Sequence, residues 1–169
     1  MVVLFDPPFD TNCPDALFCM ACLKRVAVTV LGWLYHPLQD MPALCALLAN
    51  ATSFSELDFS YNRISDAGCV ALEKYLALTK RIAVLDIRMN DFGVAGIKKL
   101  ASGLKANISL QTLVLRGCKI SDRGGLSVAE ALQANTTLRS LDVSDCDLEI
   151  PSLIAFRTVL MHNTTLREL

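Results

Sequence analysis

A chain of 169 residues is long enough for one domain with a sizeable core and requires no second. Its formal net charge of −1, from 16 basic and 17 acidic residues, gives no broad basic field and argues against capture of nucleic-acid phosphates. The hydrophobic share of 53% and mean hydropathy of +0.41 are high, yet the longest apolar run, Val26 to Tyr35, has ten residues, about half a membrane span, so no membrane segment is expected.

The amino terminus, MVVLFDPPFD, lacks a basic start and meets Asp6, Pro7 and Pro8 at once, unlike a secretory signal. Residues 1–22 read as an N-terminal segment, either an end piece or a partial repeat, in which PDALFCMACL supplies a helix leading into Leu23. Residues 23–53 read as an irregular repeat. Leu23, Val26 and Val28 begin it as a strand, and Leu44 and Leu48 continue it as a helix. Leu31 occupies its polar position, and Trp33, Pro37 and Pro42 fall inside it.

From residue 54 the chain keeps a period of 28. One column holds Phe54, Ile82, Leu110, Leu138 and Leu166; three residues on stand Leu57, Leu85, Leu113, Leu141 and Leu169; two further stand Phe59, Ile87, Leu115 and Val143. Alternation in the last part predicts a short strand with one buried face. Asn62, Asn90, Cys118 and Cys146 follow, then Ile64, Phe92, Ile120 and Leu148. The spacing then becomes helical: Gly68, Gly96 and Gly124; Leu72, Leu100, Val128 and Phe156; Leu76, Leu104, Leu132 and Leu160. Ser65-Asp66 and Ser121-Asp122 are suited to capping their own helix starts, and Pro151 fits a first helical position.

The pattern L-x-x-L-x-L-x-x-N/C-x-L resembles the leucine-rich repeats, and the period with a full helix per unit resembles their ribonuclease-inhibitor-like subfamily. The resemblance implies an α/β fold: a right-handed horseshoe solenoid with parallel strands on the concave face and helices on the convex face. The units run 54–81, 82–109, 110–137 and 138–165, and another starts at 166. Physically, one strand-helix unit cannot bury its apolar faces alone, so units stack around one continuous core. The small polar column serves backbone groups that leave the sheet inside that core. Because LREL stops within a strand without a polar capping unit, the chain reads as a fragment of a longer solenoid, or as one whose end a partner covers.

Candidate sites divide into consequences of the repeat and outward-facing residues. Asn50, Asn107, Asn135 and Asn163 each start a glycosylation-type triplet, but the last three are spaced by the repeat itself and mark the turn after each helix. Seven cysteines, an odd number, read as reduced thiols of a cytosolic protein. Cys19-Met-Ala-Cys22, with Cys13 nearby, has metal-like spacing but lacks a second pair, and His36 and His162 stand in no ligand motif, so no metal or other cofactor is expected. There is no phosphate loop and no nucleophile-base order that the repeat would assemble, so neither catalysis nor a small-molecule substrate is expected. The residues between the buried leucines face away from the core: Glu56 and Asp58; Val84, Asp86 and Arg88; Val114 and Arg116; Asp142. Asp58 stands beside Asp86 and Arg88 beside Arg116, repulsions that either arginine relieves at Asp86.

This concave row, with Met89, is the expected partner site. The resemblance extends to repeat subunits of ciliary assemblies, immune receptors, actin-capping tropomodulins and the Ran GTPase activator. It implies a non-catalytic protein-protein scaffold, a subunit of a large cytoskeletal or ciliary (axonemal) complex in the cytoplasm; the alternative is a GTPase-activating or immune-receptor-type regulator.

Overall fold

The computed structural model describes residues 2–4, 25–29, 41–50 and 54–169. Among these residues six strands form one sheet in chain order: β1 (Val2–Leu4), β2 (Arg25–Thr29), β3 (Glu56–Asp58), β4 (Val84–Asp86), β5 (Thr112–Val114) and β6 (Ser140–Asp142). Each of the last five is followed by a helix: α1 (Met41–Asn50), α2 (Asp66–Leu78), α3 (Val94–Ala106), α4 (Ser121–Ala134) and α5 (Ile150–Leu160). From β2 onward every pairing is parallel. Leu57 pairs with Leu85, Leu85 with Leu113 and Leu113 with Leu141, so each strand lies one full repeat from its neighbour. The molecule is a leucine-rich repeat solenoid of stacked strand-helix units. Among the described residues, no helix is long and apolar enough to cross a membrane.

The irregular first unit joins the stack in the expected register, Val26 against Leu57, and Leu44 and Leu48 are buried. The expectation of an all-parallel sheet fails at one place. β1 pairs antiparallel with β2, Val3 opposite Val28, which gives the otherwise open edge of β2 a partner. The expected helix in PDALFCMACL, together with Cys13, Cys19, Cys22, Trp33 and His36, lies outside the described residues.

One core runs through the stack. Leu57, Leu85, Leu113 and Leu141 are buried, as are Phe59, Ile87 and Leu115 in the next column and Leu72, Leu100, Val128 and Phe156 on the helices. Removing such side chains from water is the main favourable term, about 1.5–3 kcal/mol for each large one. The last column breaks: Leu76, Leu104 and Leu132 are buried, but Leu160 is 44% exposed and Val159 fills the place instead. Its column mates lie in helices covered on both flanks, whereas α5 packs on α4 alone among the described helices.

Side-chain amides join the units. Asn90 Oδ1 accepts from the backbone N–H of Asn62 and Ile64 in the preceding unit, while its Nδ2 donates to the carbonyls of Phe59, Ile87 and Arg88. Cys118 and Cys146 do a thinner version of this work, their thiols donating to Ile87 and Leu115 carbonyls one unit back. A second ladder runs along the turn after each helix. Asn107, Asn135 and Asn163 donate to the carbonyls of Leu76, Leu104 and Leu132 and accept from the two N–H groups that open the next strand.

The capping aspartates act across units, not within their own helix. Asp66 Oδ1 accepts from Gly93 N and Gly96 N, both at 2.8 Å, at the start of the next helix; Ser65 makes no side-chain cap to its own helix, and Ser121 is already the first residue of α4, after Ile120. A Cβ at position 96 would lie 2.6 Å from that oxygen, so a glycine there lets the carboxylate approach. Asp122 repeats the arrangement toward Glu149 N and the Ser152 hydroxyl. Pro151 stands in the first turn of α5.

Candidate functional site

Strand pairing sets the outward residues in rows about 5 Å apart from strand to strand. Glu56, Val84, Thr112 and Ser140 form one row; Asp58, Asp86, Val114 and Asp142 form the next. Glu56, Asp58, Val84, Val114 and Asp142 are half-buried, Arg88 is partly exposed and Arg116 exposed. All eight expected residues therefore share one face, but they are not equally available on it.

Asp86 is buried, only 6% exposed, beneath Arg88. The guanidinium Nε lies 2.8 and 3.1 Å from the two carboxylate oxygens, and Nη2 makes a second, very short contact with one of them. Hydrogen bonding and charge from Asp86 hold the arginine pKa above its ordinary value. Arg116 does not join the relief of Asp86. It turns to Asp145, with Nε 3.2 Å from the carboxylate, so the two arginines point to different acids and the expected arginine ladder is broken.

The acidic column also has a local task. Asp58 Oδ1 accepts from Ser60 N at 3.0 Å, Asp86 from Arg88 N at 3.1 Å and Asp142 from Ser144 N at 2.9 Å. Each carboxylate thus fastens the chain two residues on, where it leaves the strand. At Asp142, desolvation pushes the pKa up; the Ser144 hydrogen bonds and the charges of Arg116 and Arg88 outweigh it, and the net shift is downward.

Beyond strands β3 to β6 each of the four regular units makes the same left-handed turn, with positive φ at Tyr61, Met89, Gly117 and Asp145. Tyr61 is 65% and Met89 48% exposed, so this turn carries two apolar side chains to the rim of the face. Met89 was legible from its place beside the strand. Tyr61 was not singled out, although its place in the same column was the available signal. A further surface absent from the sequence reading is a groove on the opposite rim, where the helices return to the strands.

Among the described residues there is no group of three or more histidine, cysteine or acidic side chains placed to hold a metal ion. Cys45, Cys69, Cys118 and Cys146 are free and buried, and burial raises the pKa of Cys45, Cys118 and Cys146 to about 11. His162, in the turn after α5, sets its Nδ1 3.1 Å from the carbonyl of Thr158 in that helix.

The stacked fold and its two asparagine ladders agree with the comparison by family. Residues 50–72, 83–101, 106–129 and 134–156 match the leucine-rich repeat, and the chain belongs to that family. Among solved structures it is similar to Leiomodin-1 Actin-Binding Site 2, with a TM-score of 0.68 and 19% sequence identity over 83% of this chain and 80% of that one. At that identity the likeness establishes a shared fold. No curated protein matches the chain.

Proposed function

We propose that the chain is a non-catalytic interaction module, a ribonuclease-inhibitor-like solenoid that holds another protein against its strand face within a cytoskeletal or ciliary assembly in the cytoplasm. The observation that carries this reading is the rigid mixed face centred on Arg88. A buried carboxylate fixes the guanidinium, Val84 and Val114 flank it as apolar contacts, and Glu56, Asp58 and Asp142 supply charge around it. A fixed arginine beside small apolar spots loses little side-chain entropy on binding, the quality that marks anchor residues in protein interfaces. Arg88 and Arg116 are each committed to a carboxylate, which supports holding over GTPase activation.

The first partner to try is filamentous actin, because a protein that shares the fold bears an actin-binding site in its name. The test is co-sedimentation with actin, then affinity recovery from ciliated cells, comparing the wild type with the triple variant Glu56→Lys, Val114→Lys, Asp142→Lys. Glu56 and Val114 make no side-chain hydrogen bond and Asp142 loses only its exposed bond from Ser144 N at the strand exit, so far-ultraviolet circular dichroism should be unchanged. Loss of partner recovery is expected. Undiminished recovery would remove the strand face as the site.

A further inference from the structure

The rim where the helices return to the strands carries a second surface, unlike the first in charge. The outward residues of segments 80–83, 108–111, 136–139 and 164–167 line a groove of about 490 Å³ running across four units, while Ile82, Leu110, Leu138 and Leu166 point into the core. Its floor is a main-chain ladder. Gln111 N donates to Ala83 O, Arg139 N to Gln111 O and Arg167 N to Arg139 O, each at 2.8 Å, which fixes the spacing of the side chains above it.

Lys80, Arg81, Arg139 and Arg167 lie along this groove, and no acidic residue lines it. Among the described residues, Lys80, Arg139 and Arg167 enter no ion pair. The strand-exit rim is managed differently: Arg63, Arg88 and Arg116 there are tied to Asp91, Asp86 and Asp145. Arg139 and Arg167 are next neighbours in adjacent units, a like-charge placement that costs free energy unless an anion lies between them.

We propose that this groove binds an extended acidic protein segment carrying an apolar residue among its carboxylates. The charge calls for an anion, and Ile108 decides which kind. It lines the groove in the column between Lys80 and Thr136 and is 63% exposed, an aliphatic contact that a phosphate backbone does not use and a peptide side chain does. Gln111, with an amide that both donates and accepts, suits the main chain of an extended peptide. Four cations on a chain of net charge −1 are also too few and too local for strong nucleic-acid binding, which scales with the number of phosphates neutralised.

The test is fluorescence anisotropy at low salt with a labelled dodecapeptide of glutamates interrupted by a central leucine. The comparison probe is an oligothymidylate of equal charge. The peptide should bind, weaken with salt, and lose about tenfold in affinity to the double variant Arg139→Glu, Arg167→Glu. Ile108→Ala should cost about threefold, the loss of one exposed aliphatic contact. The strand-face triple variant should bind the peptide like the wild type, which separates failure of this site from failure of the first. Ile108, Arg139 and Arg167 are exposed, and circular dichroism checks the fold of every variant. Absence of peptide binding, binding indifferent to the charge reversals, or oligothymidylate binding as tight as the peptide's would each overturn the proposal.

Discussion

The side-chain amide of Asn135 donates to the main-chain carbonyl of Asn107, the same residue one unit earlier, at 3.1 Å. The same nitrogen reaches Leu104 O at 2.8 Å, and the amide oxygen accepts from Thr137 N and Leu138 N. The side chain is thus a four-point clasp between the end of α3 and the approach to β6 in the next unit, and the residue is buried.

Asn135→Ala should therefore lower stability by about 2–4 kcal/mol, since several buried backbone groups lose partners at about 1–3 kcal/mol each without full additivity. Urea denaturation measures it. Asn135 should also carry no glycan in the folded protein, because the nitrogen that would be modified is already donating twice. A loss under about 0.5 kcal/mol, or a glycan found on Asn135 of the native chain, would contradict the clasp.

Much of this was legible because the repeat determines it. Any residue facing a stacked neighbour recurs every 28 positions, so the columns of Leu57, Leu72 and Asn90 reported their burial in advance. Relationships between columns were less legible. Asp66 and Asp122 fit the composition of caps for their own helices, and only the offset between stacked units shows that each serves the next one. Likewise Asp86 reads as an outward residue by alternation, and its burial follows from Arg88 folding back over it. The antiparallel β1 lies outside the period and had no column to announce it. For the binding face, position was legible but accessibility was not.

Arg88→Ala removes the guanidinium that covers Asp86 and leaves its carboxylate without that partner, next to Asp58 in the neighbouring strand. The arginine side chain is 40% exposed, so solvent screens part of the pair, and the expected loss is on the order of 1–2 kcal/mol. Adding Asp86→Ala should recover part of it, because the stranded charge is then removed. Chemical denaturation of both single variants and the double variant gives the coupling. Strict additivity would mean that the two side chains do not stabilise each other.

Burial, the first cause of the raised thiol pKa values at Cys45, Cys118 and Cys146, also predicts their reactivity. Iodoacetamide attacks thiolates, and at about pH 8 these groups stay protonated and screened from solvent. Their modification should be slow in the native protein and fast in urea, as peptide mass mapping would record. The folded pKa is raised, so these thiols also favour the native state below the unfolded value of about 8.5, and that contribution is lost as pH rises toward about 11. Rapid native labelling of Cys118 would contradict its place in the inter-unit ladder.

Asp122 links α4 to α5 through the Ser152 hydroxyl at 2.6 Å and Glu149 N at 2.8 Å, at the positive end of the second helix. The Ser152 hydroxyl, then the Glu149 N–H, hold its pKa below the ordinary carboxylate value. A depressed folded value means that the carboxylate stabilises the native state above the unfolded value of about 3.9, and the contribution fades as pH falls through the folded one. Asp122→Asn keeps the shape and removes the charge. It should be less stable than the wild type near neutral pH, with the gap narrowing below about pH 4. Asp142 is also shifted downward but is present in both proteins, so the difference between their acid limbs isolates Asp122. Urea midpoints measured from about pH 6 down to about pH 2 decide it: a gap independent of pH would show that the ionised carboxylate does not hold the two helices together.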